Sequence, residues 1–383
     1  MISLDEIDLD HKRVFLRVDF NVPIENKTVT NDFRIKQAAP TIKKILEKRG
    51  SVILVTHIGR PNEGKDDTNL STALLIPSIE KILGIPIKFI KNWIEGLKIN
   101  QGEVLLCENV RFLKGETSND PKLAKKMSRL CDIFINEAFS NSHRAHASNY
   151  GVAQFSKNNY PGPLFQAEVK ALSKIINNSK SPSVAIVGGS KISTKTALIK
   201  NLSKKVDRLI VGGGIANLFI KARGFEIGNS LFEEPAFIEA CKLFDVTDNI
   251  IFPVDVVCTN KFSKEAVGKI RKINEIKDDE MIVDFGPQTL KTIGSELRSA
   301  KTILWNGPIG VFEYDNFANG TKVIANEIAN SSAFSVAGGG DTIASIEKFG
   351  VFNDISYIST AGGAFLEFLE GKSSPVINIL QNN

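Results

Sequence analysis

Val184-Ala185-Ile186-Val187-Gly188-Gly189-Ser190-Lys191-Ile192-Ser193-Thr194-Lys195 reads as a buried strand, a glycine turn and the start of a helix. An apolar, mostly β-branched run without alternation suits a strand covered on both faces, the habit of parallel sheets. The glycines let the backbone close on a phosphate, because no Cβ blocks the approach of N–H groups. A helix that starts there adds free donors and the positive end of its dipole. The same alternation extends in both directions. Val14-Phe15-Leu16, Val52-Ile53-Leu54-Val55, Val104-Leu105-Leu106 and Ile133-Phe134-Ile135 precede it. Leu209-Ile210-Val211, Ile250-Ile251-Phe252, Ile282-Val283, Thr302-Ile303-Leu304 and Phe334-Ser335-Val336 follow. Amphipathic stretches of helical length, such as Phe33 to Lys48, Pro121 to Leu130 and Thr194 to Lys205, lie between the runs. The pattern predicts an α/β protein with two open, mostly parallel sheets, its ligands beyond the carboxyl ends of the strands.

Glycines and arginines divide the chain. Every adjacent glycine pair lies after residue 187: Gly188-Gly189, Gly212-Gly213-Gly214, Gly338-Gly339-Gly340 and Gly362-Gly363. The first half instead places cations just past apolar runs, in His57-Ile58-Gly59-Arg60, Glu108-Asn109-Val110-Arg111 and His143-Arg144-Ala145-His146, with Arg34 at the start of a helix. Arginine grips small anions with a planar fork of donors. One half is suited to a nucleotide, the other to a compact acidic molecule. The division implies transfer between two bound ligands.

At 383 residues the chain exceeds one ordinary core, so two domains are expected. Tyr160-Pro161-Gly162-Pro163 is read as a break in local structure and the boundary, ahead of a connecting helix from Phe165 to Asn177. The apolar tail after Pro375 is expected to dock on a domain. A net charge of +5 leaves no broad nucleic-acid footprint. The acidic N-terminus lacks an apolar signal core, and no run approaches the ~20 apolar residues of a membrane span. Cys107, Cys131, Cys241 and Cys258 show no metal spacing and read as small thiols, three of them beside apolar runs. A cytoplasmic enzyme or binding protein fits these bounds.

Asp19 and Asn21 follow the first strand, where a carboxylate among arginines suits recognition of a ligand hydroxyl. His143 and His146 at i, i+3 have no companion ligand at metal spacing, and are expected to help hold Arg144 and an anion. In the second half, Gly339-Gly340-Asp341-Thr342 offers a carboxylate at a glycine-rich helix start, suited to the Mg²⁺ that accompanies ATP. Asn306, in Trp305-Asn306-Gly307-Pro308, and Glu313 are placed to frame the nucleotide. Neither G-x-x-x-x-G-K-[ST] nor G-x-G-x-x-G occurs, and G-x-S-x-G, H-E-x-x-H and Cys–His signatures are missing. Phosphoryl transfer to a carboxylate needs none of them, since that nucleophile is already ionised at neutral pH.

Taken together these residues resemble phosphoglycerate kinases. The resemblance rests on Arg17-Val18-Asp19-Phe20-Asn21-Val22-Pro23, His143 to Ser148, Trp305 to Glu313 and Gly338 to Thr342, and it runs the length of the chain. It implies two Rossmann-like domains joined by a helix and hinge. Residues 1–164 with the tail 368–383 would bind phosphoglycerate, and 165–367, with a connecting helix over about 165–178, would bind nucleotide. It implies reversible transfer between 1,3-bisphosphoglycerate and Mg·ADP, giving 3-phosphoglycerate and Mg·ATP, by a monomer that closes about its hinge without covalent catalysis. Carried over by motif, Asp19, Phe20, Asn21, Arg34, His57, Ile58, Gly59, Arg60, Arg111 and Arg144 bind the phosphoglycerate, with Arg34 nearest the reacting carboxylate. Gly189, Lys191, Lys195, Gly213, Asn306, Glu313, Gly339, Gly340, Asp341 and Thr342 meet the nucleotide. Lys195 stabilises the transferring group, Glu313 takes the ribose and Asp341 the metal. Four places depart from the family's usual pattern. They are Ile58, Glu137 with Ser140 (where Asp and Gly are usual), Gln166 to Glu168, and Ala361 in place of a glycine. A nicotinamide-dependent dehydrogenase lacks its glycine fingerprint here, and a non-catalytic paralogue that only binds is opposed by the intact cations.

Overall fold

The computed structural model describes residues 2–190, 193–244 and 248–381. The chain forms two compact units, one from residues 1–169 with 373–383, the other from 170–372. These edges, after residues 169 and 372, lie five residues beyond the 164 and 367 expected from sequence.

The first unit contains, in chain order, β1 (Arg13–Arg17), a small hairpin of β2 (Ile24–Glu25) and β3 (Thr28–Val29), β4 (Ser51–Val55), β5 (Lys88–Ile90), β6 (Val104–Cys107), β7 (Ile133–Asn136) and β8 (Asn159–Pro161). Six of these make one parallel sheet in the order β5-β6-β4-β1-β7-β8. Every residue of β4, β6 and β7 is buried, as the unalternating runs require. The helix Phe33–Glu47 buries Ile35, Ala38, Ala39, Ile42 and Ile45, a 3.6-residue stripe laid on that sheet. The strand order reverses between β1 and β7, so the loops after them part and leave a crevice at the carboxyl edge. The helix Pro375–Gln381 buries Val376, Ile377 and Leu380 and packs near β8 and the short helix Val152–Phe155. Ser374 Oγ donates to the Ser142 carbonyl at 2.7 Å, fastening the tail to this unit.

The Tyr160-Pro161-Gly162-Pro163 segment is not the break expected of it. Asn159–Pro161 pairs with β7 as an edge strand, where a proline's missing N–H does no harm. Pro163 then opens the helix Pro163–Ile176, a position where its fixed φ is pre-set. The boundary between units falls within that helix.

The second unit continues with β9 (Ser183–Val187), β10 (Arg208–Val211), β11 (Ile250–Ile251), β12 (Asp255–Thr259), β13 (Lys269–Lys272), β14 (Met281–Phe285), β15 (Thr302–Asn306), β16 (Phe334–Gly338) and β17 (Tyr357–Ser359). Its main sheet is parallel, in the order β11-β10-β9-β15-β16-β17. Counted within the sheet this is 3-2-1-4-5-6, the dinucleotide-fold order, with its switch point between β9 and β15. The Ile282-Val283 run, expected in that parallel sheet, lies instead in a separate antiparallel sheet of order β13-β12-β14. Ile282 is only half-buried, and it faces the cavity described below.

Candidate active site

The cation-bearing positions of the first unit gather at the carboxyl edge of its sheet. Arg34, in the first turn of its helix, donates through Nη1 to Asp19 Oδ2 at 2.7 Å and to the Asn21 carbonyl at 3.0 Å. Asn21 Oδ1 accepts from the Gly59 N–H at 2.9 Å, tying the loop after β1 to the loop after β4. Arg111 donates to the Gly59 carbonyl at 2.6 Å, which brings in the loop after β6. Asn109 holds that loop's shape, accepting from Arg111 N–H and donating to the carbonyls of Ile58 and Leu70. Arg60 and Arg144 are exposed at the rim. The side chains of Phe20 and Ile58 are buried beneath these loops.

Charge is concentrated here beyond what surface pairing explains. His57 is buried and held well below its ordinary pKa, first by burial, then by Arg17, Arg111, Arg34 and His146. His146 is held down to about 4 by burial and then by Arg111, Arg17 and Arg144. The Arg111 guanidinium is lowered to about 10 by burial and by Arg17, Arg144 and Arg60, and its buried Nε has no protein partner. Like charges disfavour one another at these distances, so the cluster is primed for an anion. The acids that enter it are Asp19 and Glu116. Glu116 is fully buried and accepts from Ser148 Oγ at 2.6 Å and Ser148 N–H at 2.9 Å.

Arg17 underlies this surface. It ends β1, is 1 % exposed, and donates to Ser148 Oγ at 3.0 Å and to the Val18 carbonyl. Its Nη2 lies 3.3 Å from His57 Nδ1. Arginine can only donate, so Nδ1 is the acceptor and the neutral ring carries its proton on Nε2.

The second unit assembles its site from backbone. The loops after β9, β10 and β15 nest together: Gly188 N–H donates to the Asn306 carbonyl, Gly213 N–H to Ile309 and Gly214 N–H to Gly189. A Cβ on Gly188 would stand 1.9 Å from the Pro308 carbonyl oxygen, and one on Gly307 (φ +104°) 2.2 Å from that of Gly188. Only glycine permits these approaches. The helices Gly214–Ala222 and Gly340–Phe349 start from Gly213 and Gly339 with no side-chain cap; the Gly213 and Gly214 N–H groups are spent on Ile309 and Gly189, whereas the first N–H groups of Gly340–Phe349 are left for a ligand. Asn306 Nδ2 donates to the Gly338 carbonyl at 2.6 Å, and Thr342 Oγ1 accepts from Gly307 N–H at 2.7 Å and donates to that same carbonyl at 2.9 Å. Thr342 is fully buried and braces the loops.

Lys195 Nζ donates to the Gly188 carbonyl and, at 3.4 Å, to that of Asn306. Burial lowers its pKa to about 8, against the pull of Asp341. Lys191 lies outside the described residues. Beside the loops is a cavity of about 590 Å³, walled by apolar groups including Leu231, Phe262, Val283, Ile309 and Val311, and reached by Glu313 and Asp341. A mostly apolar cavity beside glycine-lined helix starts suits a purine nucleotide. Asp341 is exposed in the first turn of its helix. Among the described residues no cluster of three metal-ligating side chains occurs. One carboxylate fits a Mg²⁺ that takes its other ligands from phosphates and water.

A family comparison decides what this pair of sites belongs to: residues 4–372 match the family described as phosphoglycerate kinase. The chain is a member of the phosphoglycerate kinase family. It is 50 % identical to the phosphoglycerate kinase of Francisella tularensis subsp. novicida, covering 99 % of this chain and 98 % of that one. Against that of Nitratidesulfovibrio vulgaris it is 48 % identical, covering 100 % and 98 %. The solved structure of phosphoglycerate kinase from Coxiella burnetii superposes with a TM-score of 0.97 at 46 % identity, covering 100 % and 99 %. That from Pyrococcus horikoshii gives 0.82 at 30 %, covering 100 % and 98 %.

The departures from the usual pattern of phosphoglycerate kinases have physical places. Ser140, where glycine is usual, donates its hydroxyl to Asp19 Oδ2, the oxygen that also receives Arg34. Glu137, where Asp is usual, is buried and accepts from Thr41 Oγ1 and from the N–H groups of Leu164 (2.8 Å) and Phe165 (3.2 Å). It thereby caps the helix Pro163–Ile176. Burial pushes its carboxyl up to about 7. Gln166 donates to the carbonyls of Ile2 and Pro161. Ala361 is buried and is not among the non-glycine residues of positive φ, so its conformation does not demand glycine. The motifs alone do not single out Arg17, Glu116, Ser148 and Asn109. Arg17, Ser148 and Asn109 lie within those motifs, and a polar residue beside an apolar run was the signal available.

Proposed function

We propose that the chain catalyses reversible phosphoryl transfer between 1,3-bisphosphoglycerate and ADP, giving 3-phosphoglycerate and ATP. The convergence of Arg17, Arg34, Arg111, His57 and His146 at the switch point of one sheet carries this reading, because such a cluster suits a small, multiply charged acid. In this reading Arg34, Arg60, Arg111 and Arg144 hold the phosphate and carboxylate of 3-phosphoglycerate. Asp19, Asn21 and the His57 Nε2–H take its hydroxyl and remaining oxygens, and Gly59 shapes the loop. Arg34 leaves Asp19 for the reacting carboxylate.

On the second unit the N–H groups near Gly189, Gly213, Gly339 and Gly340 cradle the phosphates, with Lys191, Asn306 and Thr342 around them and Glu313 at the ribose. Asp341 would hold the Mg²⁺, which neutralises phosphate charge when bound. Lys195 trades its carbonyl partners for the transferring group and stabilises the charge that spreads over it. The acceptor carboxylate is already ionised, so no general base is required. Direct transfer requires reacting atoms about 3–3.5 Å apart, so a closing motion about a hinge brings the two bound ligands together and excludes water. The enzyme works as a cytoplasmic monomer on small molecules, with no nucleic-acid partner. Among the described residues no helix is long and apolar enough to cross a membrane.

The test mixes purified protein with 3-phosphoglycerate, ATP and Mg²⁺, and follows 1,3-bisphosphoglycerate through NADH oxidation by added glyceraldehyde-3-phosphate dehydrogenase. Oxidation that needs all three components is expected. None, with a control kinase active in the same mixture, would overturn the proposal.

A further inference from the structure

Arg17, Arg34 and Arg111 are each aimed by hydrogen bonds from their own guanidinium. Among the described residues the Arg60 side chain makes no hydrogen bond and no ion pair. Where it stands is therefore set by the main chain on either side of it. On the preceding side Gly59 is fixed twice, its N–H by Asn21 Oδ1 and its carbonyl by Arg111. On the following side the anchor is Glu63. Its Oε2 accepts from Gly115 N–H at 2.9 Å, and its Oε1 from Thr117 N–H at 2.8 Å and Thr117 Oγ1 at 2.6 Å. Gly64 N–H adds a bond to the Phe112 carbonyl at 2.7 Å. Arg60-Pro61-Asn62 is thus strung between two fixed points, with the proline ring stiffening the span.

The place that Glu63 grips is also specific. A carboxylate only accepts, and here its two oxygens take the N–H groups on either side of Glu116. Glu116 is the buried acid that holds Ser148, and Ser148 in turn receives Arg17. Glu63 therefore ties the Arg60 loop to the segment that supports the floor of the cation cluster. Its charge works the other way. Glu63 lies close enough to His146 to interact with it electrostatically, so it repels an acidic ligand bound there. Holding Arg60 and repelling the ligand have opposite signs, which lets an experiment separate them.

We propose that Glu63 is a positioning residue for the phosphoglycerate, acting through Arg60, whose guanidinium it presents to the ligand by pinning the loop to residues 115–117. The inference rests on the proposed assignment of Arg60 to 3-phosphoglycerate and adds to it the group that places Arg60. The test is a double-mutant cycle. 3-Phosphoglycerate is titrated calorimetrically into the unmodified protein, Glu63→Gln, Arg60→Ala and the double variant. Glu63→Gln keeps the size of the side chain, removes its charge and sets an amide NH₂ against one of the N–H donors.

Glu63→Gln should weaken binding about tenfold, and by less than about twofold where Arg60 is already alanine. Tighter or unchanged binding in Glu63→Gln would leave only the effect of charge and overturns the proposal. Equal weakening in both backgrounds would make Glu63 a general brace that does not act through Arg60, which overturns it too. Thr117→Ala removes one of the three donors and leaves the charge in place, so it should weaken binding about threefold. Where Glu63→Gln does not fold, unchanged affinity in Thr117→Ala overturns the proposal. No binding to the unmodified protein, or none lost in Arg60→Ala, would overturn the assignment of the site and this inference with it. Loss in Arg60→Ala with none in Glu63→Gln would overturn this inference alone.

Discussion

The two candidate subsites solve the same problem, holding a polyanion, with opposite materials. The first unit uses side chains: Arg34, Arg111 and His57 are oriented by Asp19, Gly59 and Arg17, which are themselves held by hydrogen bonds. The second uses main chain, with Gly188, Gly213 and Gly307 packed so closely that no Cβ fits and with helix starts left uncapped. A side-chain site must bury as well as concentrate charge, as His57, His146 and Arg111 attest, their pKa values depressed first by burial and then by neighbouring cations. A backbone site carries little net charge and depends on shape. The first should therefore fail by loss of charge, the second by gain of volume.

Arg34→Ala breaks the charge half. Losing a charge-assisted contact made in the transition state costs roughly 2–4 kcal/mol, so kcat should fall about 30- to 1000-fold while the melting temperature barely moves. An unchanged kcat would remove Arg34 from the chemistry. Gly188→Ala breaks the shape half, since its Cβ would meet the Pro308 carbonyl oxygen at 1.9 Å. Displacement of the loop by about an ångström should weaken ADP binding on the order of 100-fold. Calorimetric affinity for 3-phosphoglycerate should stay within about twofold, and parallel loss of both ligands would show that the subsites are not independent.

Ser140→Gly sharpens the comparison by removing one support of Asp19 while leaving every cation in place. A net hydrogen bond of about 1 kcal/mol predicts a KM for 3-phosphoglycerate raised roughly fivefold with kcat little changed. A fall in kcat with KM intact would mean that Ser140 acts on the reacting group instead.

Glu137→Gln gives the smallest effect and is read in pH. The Glu137 carboxyl sits near 7 when folded, against an ordinary 4.5, so the native state keeps a proton that the unfolded state releases between those values. Stability from this group is full below about 4.5 and is lost as pH rises through 7. The melting temperature of the variant relative to the parent should therefore climb across that window. A difference that stays flat with pH would refute the burial assigned to Glu137.

Much of this was legible in the residues. The buried runs and the glycine loop from Val184 to Lys195 announce parallel strands feeding helices, because strands covered on both faces cannot alternate. The cations past Val55, Cys107 and Asn136 declare an anion site by their repeated placement at strand ends. What escaped depends on three-dimensional neighbours. Nothing local distinguishes Ile282-Val283, in an antiparallel sheet, from Leu209-Ile210 in the parallel one, since both are short apolar runs. Nothing in the run ending at Arg17 shows what its guanidinium meets, and only the packing of Ser148 and His57 against it makes it a buried brace. Pro161 and Pro163 read as punctuation because their tolerance at a sheet edge and a helix start appears only once those elements exist.

The fastening of the helix Pro375–Gln381 to the first unit has a consequence in time. Synthesis runs from residue 1 onward, and the 203 residues of the second unit, 170–372, are made before that helix. The unit begun first is thus the last to be finished, and on the ribosome its surface near β8 stands uncovered until the second unit has been made.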